Sequence, residues 1–150
     1  MKKTKNGILF LILSIAVVIF DQTLKSAVRD FMYPGQSIPL LKNFFNITYV
    51  RNLGAGFGIF QGKTNLLIWF ALIVIGIILF NYEKIIEKIS LQISSALILG
   101  GTVSNLIDRI FLGFAVDYLD FRFWPVFNVG DSCITIGALI LIIHLIKQEK

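Results

Sequence analysis

Charge is what this 150-residue chain has least of: 15% of its residues are Asp, Glu, Lys or Arg, while 56% are hydrophobic. A soluble domain carries about 25% charged residues. Here the deficit is concentrated in long stretches almost free of charge, which points to a membrane protein and not to a greasy soluble core. A single cysteine, Cys133, excludes an internal disulfide framework. A single histidine, His144, excludes any centre built on two imidazoles. A Cys133/His144 nucleophile pair fails on distance, because eleven residues along one helix separate them by roughly 16 Å. The stretch from Gly56 to Thr64 comes near a phosphate-binding loop, but neither Gly56 nor Gly58 stands at the spacing from Gly62-Lys63-Thr64 that the pattern needs. The net charge of +5 forms no basic stripe, so nucleic acid is not an expected partner.

What the chain does have is four apolar runs, at about 7–28, 65–82, 89–107 and 129–146. Each is near the roughly 20 residues that cross a bilayer as a helix. They predict a single-domain, all-α integral membrane protein with four transmembrane helices and an extracytoplasmic segment over about 29–64. Basic residues beside span ends set orientation. Lys2, Lys3 and Lys5, then Lys84 and Lys88, then Lys147 and Lys150 all fall on one side, so both termini are expected in the cytoplasm. The first apolar run also resembles a cleaved signal, but Asp21-Gln22 follows it instead of a small-residue cleavage site. All three glutamates fall at the cytoplasmic side and all six aspartates at the outer side. The outer end is where chemistry is expected.

Ile8 to Phe20 is too short to span alone, so the first helix must carry Asp21 and Lys25 near the outer leaflet. Ionisable groups there need a partner, and an i,i+4 spacing lets these two pair. A structural ion pair or a snorkelling lysine is the plain alternative. In the third span Gly100 and Gly101 permit a close helix approach. Asn105, Asp108 and Arg109 share one face, with an interhelical clamp by Asp108 and Arg109 as the plain reading. Asn128 is a plausible N-cap for the fourth span, with Asp131 in its first turn, where the helix dipole favours an anion. Capping alone would account for Asp131. Asp117 lies in an apolar stretch, Phe114 to Asp120, expected as a loop held against the membrane, and Asp120 is expected as a surface charge. Two aspartates from separate segments in a low-dielectric pocket share one proton. The ionised member then takes a proton from water while the other polarises a carbonyl. Such a pair needs no metal, no cofactor and no nucleophilic serine. A proton or ion pathway would spread acids along the bundle; a non-catalytic membrane lipid-binding subunit is the other alternative.

At these residues the chain resembles the lipoprotein signal peptidases, the type II signal peptidases of bacteria. The matching blocks are Asp21-Gln22-Thr23-Leu24-Lys25, Asn52 to Gly58, Gly101 to Asp117, and Phe127-Asn128-Val129-Gly130-Asp131. The resemblance implies a catalytic pair of Asp117 and Asp131. It implies supporting or substrate-binding roles for Asp21, Lys25, Asn52, Gly54, Asn105, Arg109 and Asn128. It implies a diacylglyceryl-modified prolipoprotein as substrate, cleaved just before the lipidated cysteine, and a monomeric multi-pass protein among the lipids of the bacterial inner membrane. It also implies a small outer sheet, where Asn46 to Val50 has strand-like composition and Pro34-Gly35 marks a turn. The glycines from Gly54 to Gly58 are expected to form a lid over acyl chains. Ser104 and Gly130 depart from the family pattern by small-for-small changes, and Gly56, where the family has alanine, is expected to loosen the outer loop.

Overall fold

The structure, a computed structural model, describes residues 2–55 and 59–148. Helix α1 (Lys2–Phe31) leads into strands β1 (Ser37–Leu41) and β2 (Phe45–Asn52). Helix α2 (Thr64–Phe80), the single turn α3 (Tyr82–Ile85) and helix α4 (Ile89–Leu112) follow, then strand β3 (Ala115–Asp120) and helix α5 (Val129–Gln148). The fold is thus mostly helical with one small sheet. Among the described residues, three helices hold apolar stretches long enough to cross a membrane: Gly7–Phe31, Ile89–Leu112 and Val129–Lys147. The fourth apolar helix, α2, has 17 residues, about 25 Å at the usual rise, against a hydrocarbon core of roughly 30 Å.

Two element ends differ from the sequence expectation for identifiable reasons. Nothing after Val28 breaks a helix until Pro34, which disfavours helical backbone at the residue before it, so α1 continues to Phe31. Helix α4 continues past Ile107 to Leu112 and stops at Gly113, whose φ of 83° is left-handed and whose N–H returns to the Arg109 carbonyl. A glycine adopts that cap without a Cβ penalty.

Helix α4 is the centre of the molecule. It packs against α1, α2 and α5, and 56% of its apolar stretch is buried against 28% for α1 and 11% for α5. In lipid, apolar burial does little to drive helices together, so close backbone approach matters more. A Cβ on Gly100 would lie 2.7 Å from Val17 Cβ and 2.8 Å from the Ser14 carbonyl oxygen of α1. A Cβ on Gly101 would run into the Gly130 carbonyl of α5. These adjacent glycines therefore admit a helix on each side, at the level where the polar side chains begin.

The sheet is antiparallel in the order β1-β2-β3, with Ile38 opposite Ile47, Val50 opposite Asp117 and Asn52 opposite Ala115. Phe114 to Asp120, expected as a loop, supplies β3. Five of the six β3 residues are buried, so the period-2 alternation that marks a half-exposed strand is missing. The third strand comes from outside the 29–64 segment, because the Gly113 turn brings the chain back onto β2. Edge strand β1 is fully exposed and accommodates Pro39. Val28, Tyr49, Val116 and Tyr118 form the buried core joining the sheet to α1. Asp120 is not a surface charge: it is 6% exposed and accepts from Thr48 Oγ1 at 2.7 Å and from the Arg122 N–H at 2.8 Å.

The glycine packing yields a paired prediction. Gly101→Ala forces α4 from α5 and should cost about 1–3 kcal/mol, the usual range for overpacking. Gly76→Ala in α2, where an added Cβ meets nothing within 4 Å, should be neutral or stabilising, because alanine is the better helix former. Thermal unfolding in detergent checks both; equal midpoints for the two variants would contradict the packing account.

Candidate active site

Asp117 and Asp131 are brought together by the β3 strand and the first turn of α5. Asn128, just before α5, holds both. Its Nδ2 donates to Asp117 Oδ1 at 2.7 Å. Its Oδ1 accepts the Asp131 N–H at 2.8 Å, while its own N–H donates to Asp131 Oδ2 at 3.2 Å. That reciprocal pattern is a capping box, which satisfies otherwise unpaired donors at a helix start. Asn52 Nδ2, from β2, donates to Asp117 Oδ2 at 2.8 Å. Asn105 Nδ2, from α4, donates to Asp131 Oδ1 at 2.7 Å. Asp117 is thus held by two side-chain amides, and Asp131 by one side-chain amide and one backbone N–H; Asp117 is 1% exposed.

Behind this pair lies a buried ionic cluster. Lys25 Nζ sits 2.9 Å from Asp21 Oδ2 and 3.0 Å from Asp108 Oδ2, with all three side chains fully buried. It also donates to Asn105 Oδ1 at 2.7 Å. The structure therefore pairs Asp108 with Lys25 and not with Arg109. Asp108 further accepts from Gln22 Nε2 at 2.8 Å and from the Val116 N–H at 2.9 Å. Arg109 turns the other way, its Nη2 donating to the Gly54 carbonyl at 2.9 Å. Gly54 is required by crowding, since a Cβ there would lie 2.8 Å from the Ile59 carbonyl oxygen. Its N–H donates to Asn52 Oδ1 at 2.9 Å, which ties the loop to the side chain holding Asp117. The expected lid includes residues 56–58, which lie outside the described residues.

Three contributors were not singled out from the sequence. Gln22 bridges α1 to Asp108, Ser104 Oγ donates to Asp21 Oδ2 at 2.6 Å, and Tyr118 Oη donates to Asp21 Oδ1 at 3.0 Å. The partners in the last two are 83 and 97 residues apart, so no local spacing announces them. Gln22, inside the Asp21 to Lys25 block, and Ser104, inside the Gly101 to Asp117 block, carried a signal only through the family resemblance.

Two clefts meet at the aspartates, one of about 480 Å³ and one of about 180 Å³, and both are lined by Asn52, Asp117 and Asp131. The larger is walled mainly by Trp124, Val126, Phe127 and Ile136. The smaller carries Thr102, Asn105 and Arg109. Burial, and then the Asp131 charge, push the Asp117 carboxyl up to about 7, against the hydrogen bonds from Asn52 and Asn128 and the Lys25 charge. Asp120 shows the opposite result. Desolvation raises it, but Thr48, the Arg122 N–H and the Arg122 guanidinium outweigh that and hold it below the usual carboxylate value. Asp117 is therefore a carboxyl able to hold or release a proton near neutrality, as acid-base work requires.

A family profile and the named relatives point to one family. The profile of signal peptidase (SPase) II matches residues 13–147. The chain is 46% identical over 139 residues to the lipoprotein signal peptidase of Halothermothrix orenii, covering 93% of this chain and 96% of that one. It is 42% identical over 133 residues to the lipoprotein signal peptidase of Moorella thermoacetica, covering 88% and 89%. A bacterial membrane enzyme solved by the in meso method superposes with a TM-score of 0.89 at 32% identity, over 94% of this chain and 89% of that one. A second such structure gives 0.83 at 34% identity, over 92% of each chain. The chain belongs to the signal peptidase II family.

Proposed function

We propose that this protein is an aspartic endopeptidase of the bacterial cell membrane that removes the signal peptide from diacylglyceryl-modified prolipoproteins, with Asp117 and Asp131 as the catalytic pair. The observation that carries this reading is Asn128, whose one side chain and N–H hold a carboxyl from β3 and a carboxyl from α5 at the junction of two clefts. The named relatives are lipoprotein signal peptidases, which supports the substrate class.

In the proposed mechanism the pair shares one proton. The ionised aspartate takes a proton from water, and the water oxygen attacks the carbonyl carbon of the residue before the lipidated cysteine. The protonated aspartate gives its proton to the carbonyl oxygen as the tetrahedral intermediate forms. Collapse returns a hydroxyl proton of the intermediate to the pair, restores the carbonyl and breaks the C–N bond, and the cysteine amine leaves with a proton from the pair, which again holds one. Arg109, Asn105 and Asn52 offer donors at the same place, suited to the substrate backbone. The layout we propose is a single, monomeric four-span unit in which α2 is the short span, with both termini cytoplasmic and the sheet outside. The lysines at 2–5, 84–88 and 147 support that orientation.

Asp117→Asn and Asp131→Asn should each lower kcat by at least about a hundredfold, the scale of acid-base assistance, in cleavage of a diacylglyceryl-modified prolipoprotein in detergent. Near-normal turnover by a folded variant would remove that aspartate from the pair. The pH profile has a definite sign. A carboxyl raised to about 7 is protonated below that pH and ionised above it, so activity that needs one proton on the pair should fall as pH rises through about 7. Asn52→Leu removes a donor to the ionised form, so the alkaline limb should move to higher pH. A limb that stays in place in the variant would show that Asn52 does not tune Asp117.

A further inference from the structure

Asp117 and Asp131 lie on different elements, so their spacing depends on how β3 is held against the first turn of α5. Tyr118 follows Asp117 in β3 and is 2% exposed, packed with Val28, Tyr49 and Val116. Adjacent strand residues point to opposite faces, so its side chain leaves β3 on the face opposite to that of Asp117. Its Oη donates to Asp21 Oδ1 of α1 at 3.0 Å and accepts the Val129 N–H at 3.3 Å. Val129 opens α5, where the first N–H groups have no partner within the helix, and Asp131 stands two residues further on. One phenol therefore joins α1, β3 and α5. The other Asp21 oxygen takes Ser104 Oγ at 2.6 Å and Lys25 Nζ at 2.9 Å. Lys25 in turn holds Asn105, and Asn105 holds Asp131. A closed ring of polar contacts thus runs from the strand of one aspartate to the side chain of the other.

We infer that Tyr118 is a positioning residue of the proposed peptidase site, setting the spacing of Asp117 and Asp131 by tying β3 to the Val129 N–H in the first turn of α5 while Asp21 of α1 holds the phenol in place. It lines neither cleft at the pair, so it acts through the aspartates and not on substrate. Burial and the neighbouring Asp21 keep the phenol protonated well above its ordinary range, so it remains a donor throughout an assay. The charged groups facing Asp117 are Asp131 from α5, Lys25 from α1 and Arg109 from α4. Loosening β3 from α5 lets Asp131 recede, which weakens the repulsion that raises Asp117.

The inference rests on the dyad reading, and one experiment separates the two. Steady-state cleavage of a diacylglyceryl-modified prolipoprotein is measured across pH for wild type, Tyr118→Phe and Asp117→Asn. Tyr118→Phe removes both the bond to the Asp21 carboxylate and the bond from the Val129 N–H, and should lose about tenfold in kcat, the scale of a lost hydrogen bond to a charged group. KM should hold within about twofold, as for a group that acts only in the chemical step, and the alkaline limb should move to lower pH. A wild-type kcat and limb would overturn the assignment, as would a raised KM with kcat unchanged. Should Tyr118→Phe fail to fold, Ser104→Ala releases the same Asp21 carboxylate from its other oxygen. It should then shift the limb in the same direction by less, and an unmoved limb overturns the inference. Wild type that cleaves no prolipoprotein overturns the peptidase reading, and this one with it.

Discussion

Carboxylates and ammonium groups at membrane depth must find one another, and that constraint organises this molecule. Lys25 stands between Asp21 and Asp108 at 2.9 and 3.0 Å, all of them buried. Such a cluster is weak evidence for stability, because desolvation offsets much of the attraction. Its effect here is orientation. Lys25 can only donate, so it fixes Asn105 with Oδ1 toward the ammonium. The amide nitrogen must then face Asp131. Breaking the cluster would leave an uncompensated buried charge and free that amide to turn.

The same residue type meets different fates here, and environment decides each. Asp21 and Asp108 are engaged by an ammonium and by hydroxyl or amide donors. Asp120 gathers donors from Thr48 and Arg122 near the sheet edge and is held low. Asp117 receives two amide donors but is buried beside another carboxylate, and it is raised to about 7. Asn128 hydrogen-bonds both members of that pair. The small residues of α4 make the arrangement reachable, since Gly100 and Gly101 let α1 and α5 close in where the polar side chains begin.

What could be read from the sequence was local. The apolar runs marked the helices, the i,i+4 spacing marked Asp21 with Lys25, and Asn128 with Asp131 marked a helix start. The choice of Asp117 and Asp131 drew on family resemblance as well. Strand β3 was hidden because burial on both faces removes alternation, and β1 because Pro39 reads against a strand. The 17 residues of α2 fall short of the length that its apolar character promised. Asp120 reads as a surface charge because its partner Thr48 is 72 residues away. Tyr118 and Ser104 look like packing residues until α1 is laid beside them.

The central claim is that Asp117 shares a proton with Asp131 near neutral pH. The most direct measurement is difference infrared titration of the protonated carboxyl band, with Asp117→Asn used to assign it. The account predicts that the Asp117 signal disappears with a midpoint near 7, and that Asp131→Asn moves this midpoint down by removing the facing charge. An Asp117 carboxyl that titrates near its ordinary value of 3.8, indifferent to Asp131, would contradict it.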